Sequence, residues 1–274
     1  MKLNAEIDSK TYQIDTAHPL DISIPLNFNG DQPSHFGAPP ATSTTVESGD
    51  FIGDTNRGGG CNVEAYQLVP HCNGTHTESA GHILNTPVSI QQIFKDPFFP
   101  CTVISVQPEN AFDSSDNYLP PKERNDKMIT AALLQDALKN VPLSFLKGLV
   151  IRTRPNSEAK KSRNYLDHSP PFFSMDAMTA ICDLGVQHLL VDMPSVDRMF
   201  DEGKLTAHHI FWNVNPGDHR ANPDTRLENT ITEMIYAPDH IADGSYICSI
   251  QIPNFVADAA PSRVFLYQLH DVKG

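Results

Sequence analysis

Apolar and polar positions along the 274-residue chain repeat with two different periods. In "YICSIQI" (246–252) Tyr246, Cys248, Ile250 and Ile252 fall on one face of an extended segment, which predicts a strand. "MITAALLQDALKN" (128–140) instead places Ile129, Ala132, Leu133, Ala137 and Leu138 at helical spacing. "GLVIRT" (148–153) reads as a buried strand. Ser174 then caps a helix, "MDAMTAICDL", that stacks Met175, Met178, Ile181 and Cys182 and stops at Gly185. "VQHLLVD" (186–192) is the next strand. Strand, helix and strand at this spacing predict a crossover unit in a sheet covered by helices. "VEAYQLV" (63–69), "CTVISVQ" (101–107) and "RVFLYQL" (263–269) add further strands, so the class is mixed α/β.

Composition adds loops to that picture. There are 22 prolines and 15 glycines, and residues 17–62 are rich in Pro, Gly, Asn, Ser and Thr. That stretch reads as extended loops, either a flap over a site or an arm on a neighbouring subunit. No fixed-period repeat or low-complexity linker divides the chain, so one domain over 1–274 with a loop-rich N-terminal arm is expected. A hydrophobic fraction of 39% with 19% charged residues is that of a globular protein. The net charge of -13, with no Lys/Arg run, argues against nucleic acid as a partner. The start lacks a leader-like apolar stretch and no 18-residue apolar run occurs, so no membrane partner and a cytoplasmic location are expected. Five cysteines, at 61, 72, 101, 182 and 248, are odd in number and scattered, which predicts reduced thiols.

Candidate chemistry is concentrated in "HCNGTHTESAGH", where three of the 12 histidines fall between His71 and His82. On an extended segment Cys72, His76, Glu78 and His82 form one polar row, with Gly74 and Ala80 leaving room between them. Thiolate, imidazole and carboxylate are all ligands for Zn²⁺ or a similar ion. If the segment is a loop, the row dissolves; a plain reading makes the histidines surface polar groups and Cys72 a small buried hydrophobe.

"CNGTHTESAGH" resembles the signature H-x-G-T-H-x-D-x-P-x-H of the cyclase-like metal-dependent hydrolases, the family of bacterial kynurenine formamidase and isatin hydrolase. Gly74, Thr75, His76 and His82 match; Glu78 stands for the Asp, Ala80 for the Pro and Cys72 for the first His. "GVQHLLVDMPSVD" (185–197) resembles the family's strand ending in Asp-x-x-Ser-x-Asp, and "AHH" (207–209) its Ala-His segment. "TITEMIYAPDHIADGSYICSIQIP" resembles its Glu-bearing strand, loop and Gly-Tyr strand. The resemblance implies a swivelling β/β/α-type fold: a mixed sheet with flanking helices.

It also implies a site for one or two Zn²⁺ or Mn²⁺ ions held by Cys72, His76, Glu78, His208 and Glu233, with His82 transferring the proton. His71 competes with Cys72, and His209 with His208. Extra residues between His208 and Glu233 make Glu228 a competitor for Glu233. The implied activity is hydrolysis of a small amide, formamide or cyclic amide by metal-activated water, in a homodimer or larger assembly. Asp192 and Asp197 flank a turn after a strand and read as structural, or as supports behind the ligands, before catalytic. The rival readings are a non-catalytic descendant with a degraded metal site that binds a ligand or partner, and a thiol enzyme with Cys72 as nucleophile.

Overall fold

A computed structural model describes residues 1–272 and centres on a nine-stranded mixed sheet. Its strands are β1 (Leu20–Asp21), β2 (His76–Glu78), β3 (Phe98–Val106), β4 (Gly148–Thr153) and β5 (His188–Val191). The remainder are β6 (Thr230–Glu233), β7 (Gly244–Gln251), β8 (Ala259–Pro261) and β9 (Arg263–Tyr267). Their spatial order is β8-β2-β6-β5-β4-β3-β7-β9-β1. β3, β4, β5 and β6 are parallel, and every other pairing is antiparallel.

Three helices cover one face: α1 (Ala131–Leu138), α2 (Met175–Asp183) and α3 (Thr206–Trp212). The predicted crossover is present, with α2 linking parallel strands β4 and β5. Ser174 caps α2 through its hydroxyl, which accepts the Ala177 N–H at 2.9 Å, and Gly185 follows the helix at φ +75°. β4 is buried along its whole length, as a strand covered on both faces requires. Leu149 and Ile151 face the helices with Leu134, Met178, Phe211 and Trp212. Val150 faces the other way, onto Val103, Cys248 and Leu266.

Two sequence expectations change. The helix begins at Ala131 rather than 128, because Lys127–Ile129 is a short strand beside Phe172–Phe173 and Thr130 caps the helix. "VEAYQLV" keeps only Glu64–Gln67 as a strand, exposed throughout and paired with Thr42–Thr45 outside the main sheet. Its apolar residues have no core to face, so they hold a ribbon of the N-terminal arm instead. Among the described residues all five cysteines are free, and no helix is long and apolar enough to cross a membrane.

Candidate metal centre

The sheet itself assembles the site. β6 ends at Glu233 where antiparallel β2 begins at His76, and the register sets Glu233 opposite His76 and Ile231 opposite Glu78. Residues two apart on a strand share a face, so His76 and Glu78 point the same way. Both are fully buried. His76 Nε2 lies 3.4 Å from Glu233 Oε2, while Nδ1 donates to the Gly74 carbonyl at 2.9 Å. A carbonyl only accepts, so in the neutral ring Nε2 carries the lone pair and aims it at the carboxylates.

α3 delivers His208. Its Nε2 is 3.0 Å from Glu78 Oε1 and its Nδ1 is 2.6 Å from Asp197 Oδ2. Asp197 also accepts the backbone N–H groups of Ala207 and His208, at 2.7 and 3.1 Å, and so fixes the first turn of α3 along with the imidazole. The Tyr118 hydroxyl donates to the same carboxylate at 2.8 Å. Burial pushes the Asp197 carboxyl up, but His208 and the two backbone donors bring it below the ordinary value. Glu233 Oε1 accepts the Val196 N–H at 2.9 Å.

The outer wall comes from two short turns. Residues Pro70–Asn73 form one helical turn that presents His71, whose Nε2 is 3.1 Å from Asp258 Oδ2 and 3.4 Å from Glu78 Oε2. A 3₁₀ turn over Ala80–His82 presents His82, with Nδ1 3.9 Å from Glu78 Oε2 and 3.8 Å from Asp258 Oδ2. The His71 and His82 rings stack at 4.5 Å.

Charge in the cluster is unbalanced toward acid. Burial pushes Glu78 up, yet His82, His208 and His71 draw it down to about 2. Burial disfavours the His208 imidazolium, but its bonds to Asp197 and Glu78 raise it well above the ordinary value. For His71 burial is again outweighed, by Asp258, Glu78 and Glu233. His71 and then His82 hold the Asp258 carboxyl far below the usual range.

Those atoms converge as ion-pair contacts rather than as hydrogen bonds. His71 Nε2, His76 Nε2 and Glu78 Oε2 are buried and make no hydrogen bond. Three overlapping sets of ligand atoms lie within 4.8 Å of one another: His76, Glu78 and Glu233; Glu78, His82 and His208; His71, His82 and Asp258. A buried polar atom without a partner costs about 1–3 kcal/mol. Imidazole lone pairs and carboxylate oxygens pointed at a common space are relieved by a cation, and an N/O set of this kind suits zinc or manganese. The residues present fit a divalent ion.

Cys72 stands apart from this convergence. It belongs to no such ligand set among the described residues, and burial and the Glu233 charge push its thiol up to about 11. The extended row fails locally, because 70–73 are helical and His71 points at the carboxylates instead. His209 contacts the Val214 carbonyl rather than the cluster. Glu228 lines a different cavity, beside Lys95 and Lys147. Asp192 lies with Lys160, away from these atoms.

Two residues outside the sequence candidates join the neighbourhood. Asp258 is placed by β8, whose Ala259 pairs with Glu78, and by its carbonyl, which accepts the Ser79 N–H. His35, from the N-terminal arm, is buried with both ring nitrogens unpaired. Burial first, and then nearby His76, lower it to about 4. Neither carries a spacing that links it to the histidine cluster.

Comparison with known proteins adds context. A family model described as "Putative cyclase" matches residues 14–198, a span that includes the histidine cluster and Asp197. A kynurenine formamidase of Bacillus cereus (strain ATCC 14579) is 24% identical over 257 residues, 92% of this chain and 98% of its own. Another, from Bacillus mycoides, is 25% identical over 150 residues, 54% of this chain and 63% of that relative. Among solved structures, a predicted metal-dependent hydrolase from Bacillus stearothermophilus is 17% identical with a TM-score of 0.58, covering 91% of this chain and 98% of that one. Isatin hydrolase A from Ralstonia solanacearum is 12% identical with a TM-score of 0.60, covering 91% of each. At these identities the two structures share the fold.

Proposed function

The chain belongs to the cyclase family, and on that premise we propose that it is a metal-dependent hydrolase of a small amide, formamide or cyclic amide. The observation that carries this reading is the set of buried ligand atoms on His71, His76 and Glu78 that make no hydrogen bond, facing Glu233 and His208. Relatives named kynurenine formamidase and isatin hydrolase support a carbonyl–nitrogen bond as the target.

His76, Glu78, Glu233 and His208 are the residues to hold the ion, with His71 in the place expected of Cys72. A divalent cation held there supplies Lewis acidity, polarising the substrate carbonyl and acidifying water. The chain does the rest. Gly74 O and Asp197 each take the Nδ1 proton of a histidine, so His76 and His208 both present Nε2. His82, a quarter exposed, stands at the mouth with Nδ1 toward Glu78 and Asp258. There it accepts a proton from the attacking water at Nδ1 and delivers it to the departing nitrogen, while Asp258 steadies the imidazolium. Such proton transfer contributes about 10²–10⁴ in rate.

The test is the metal content of the purified protein together with hydrolysis of formanilide and a small lactam. Stoichiometric zinc or manganese is expected, kept by Cys72→Ser and lost by His71→Ala and Glu233→Gln. His82→Ala keeps the metal and loses turnover. If the protein takes up no metal from excess zinc or manganese, the hydrolase reading falls and the non-catalytic one replaces it.

A further inference from the structure

A second cavity, of about 240 Å³, opens beside the carboxyl ends of β3, β4 and β5. Crevices at the carboxyl ends of parallel strands are where α/β sheets place ligands. None of the metal-centre residues lines it. Its apolar lining is Pro108, Pro155, Pro170, Pro171, Tyr165 and Met193. Its charges are Lys127, Arg154, Lys160 and Arg163 against the single carboxylate of Asp192.

Counting partners shows which of these charges are available. Asp192 is saturated by Lys160 Nζ at 2.7 Å and by the Thr153 N–H and hydroxyl at 2.8 and 2.9 Å. Lys160 also donates to the Thr153 carbonyl at 2.8 Å, so both members of that pair are occupied. Arg154 pairs with Asp239 at 2.6 Å. Lys127 and Arg163 take part in no ion pair within 4.0 Å among the described residues. The Arg163 guanidinium instead lies 5.8 Å over the Tyr165 ring, at the cavity wall. Two uncompensated cations at one mouth stand out in a chain of net charge -13.

From this we infer that the cavity binds a small organic carboxylate with a flat apolar body. Arg163 takes the carboxylate through two N–H groups of its planar fork, and Lys127 adds a point charge. The body lies between the Pro170–Pro171 wall and Tyr165. A bare phosphate satisfies the cations but leaves that wall uncovered, which is why the ligand assigned here is an aromatic or similarly flat acid. The site is independent of the hydrolase reading.

Titration calorimetry with benzoate, benzamide and inorganic phosphate tests the inference on the full chain. Benzoate is expected to bind and benzamide to bind at least tenfold more weakly. Arg163→Gln should lose at least tenfold in benzoate affinity and Lys127→Gln severalfold, while His71→Ala stays within twofold of wild type. Arg163→Lys should recover part of the loss, which separates charge from misfolding. Loss in His71→Ala with none in Arg163→Gln places the carboxylate at the metal centre and overturns the inference. Phosphate binding as tightly as benzoate overturns the apolar half of it, and no benzoate binding overturns it entirely.

Discussion

Lys160 and Asp192 sit just beyond the ends of β4 and β5, and His76 and Glu233 sit where β2 and β6 meet, on the same edge of one sheet. Both pairs are buried, yet they are built differently. Every polar atom around Asp192 has a partner: Lys160, the Thr153 N–H and the Thr153 hydroxyl. Around Glu78 the counting fails: Glu78 Oε2, His76 Nε2 and His71 Nε2 make no hydrogen bond, and their closest ion-pair contacts are at 3.1–3.4 Å with one another, Asp258 and Glu233. Completed pairing locks backbone, here the segment that follows β4. Incomplete hydrogen bonding in an equally buried place is what the proposed metal site rests on. On that proposal, the same chemistry of buried charge serves stability in one place and binding in the other.

Breaking the paired side should have the largest effect. Lys160→Met leaves the Asp192 carboxylate buried beside two neutral donors, and removal of one partner of such a pair costs about 3–5 kcal/mol. Urea unfolding measures it. Lys160→Met with Asp192→Leu should recover much of that loss, and a single variant as stable as wild type would show that the pair does not hold this segment.

Around Glu78 the larger effect should be on affinity. Glu78→Gln is expected to lower zinc affinity at least a hundredfold, about 2.7 kcal/mol. Its unfolding free energy in metal-free buffer should fall by less than that of Lys160→Met, because Gln keeps a side-chain oxygen for His208 while only the charge facing His71 and His82 is lost. Competition with a chromophoric chelator and urea titration read the two quantities separately. A large stability cost with unchanged zinc affinity would reverse the assignment of the two regions.

Much of this contrast was legible in the sequence. The Gly74-Thr75-His76 core, Glu78, His208 and Glu233 are legible as candidates because the signature they resemble keeps its order and spacing, and α2 because Ser174 and Gly185 mark its ends. Cys72 and His71 were harder: alternation predicts one row only if the chain is extended, and Pro70 at the first position of a turn winds it. That proline was the available signal. Asp258 and His35 had none, since they arrive through β8 pairing and an arm loop, contacts that no local period encodes. The exposed ribbon at Glu64–Gln67 shows the converse, a strand pattern with no core to face.

Two buried histidines show the same contrast, since His208 on α3 and His188 on β5 shift in opposite directions. His208 faces two carboxylates and is raised. His188, at the start of β5, meets the Thr230 hydroxyl at 2.8 Å, the Phe99 ring stacked at 4.2 Å and the edge-on Phe94 ring at 5.5 Å. Burial first, then Lys147, lower it to about 3, with Asp96 opposing weakly. Its folded value lies below the unfolded value of about 6.5, so the unfolded chain binds the proton more readily. Stability from this group is complete above about pH 6.5 and is lost as pH falls toward about 3, amounting to about 2 kcal/mol by about pH 5. His188→Gln keeps a partner for Thr230 and removes the titration. Its stability deficit relative to wild type should therefore shrink by about 2 kcal/mol between about pH 7.5 and 5, read by urea unfolding at each pH. A deficit that stays constant would mean that His188 is solvated or paired in solution, and that the sheet interior does not hold it neutral.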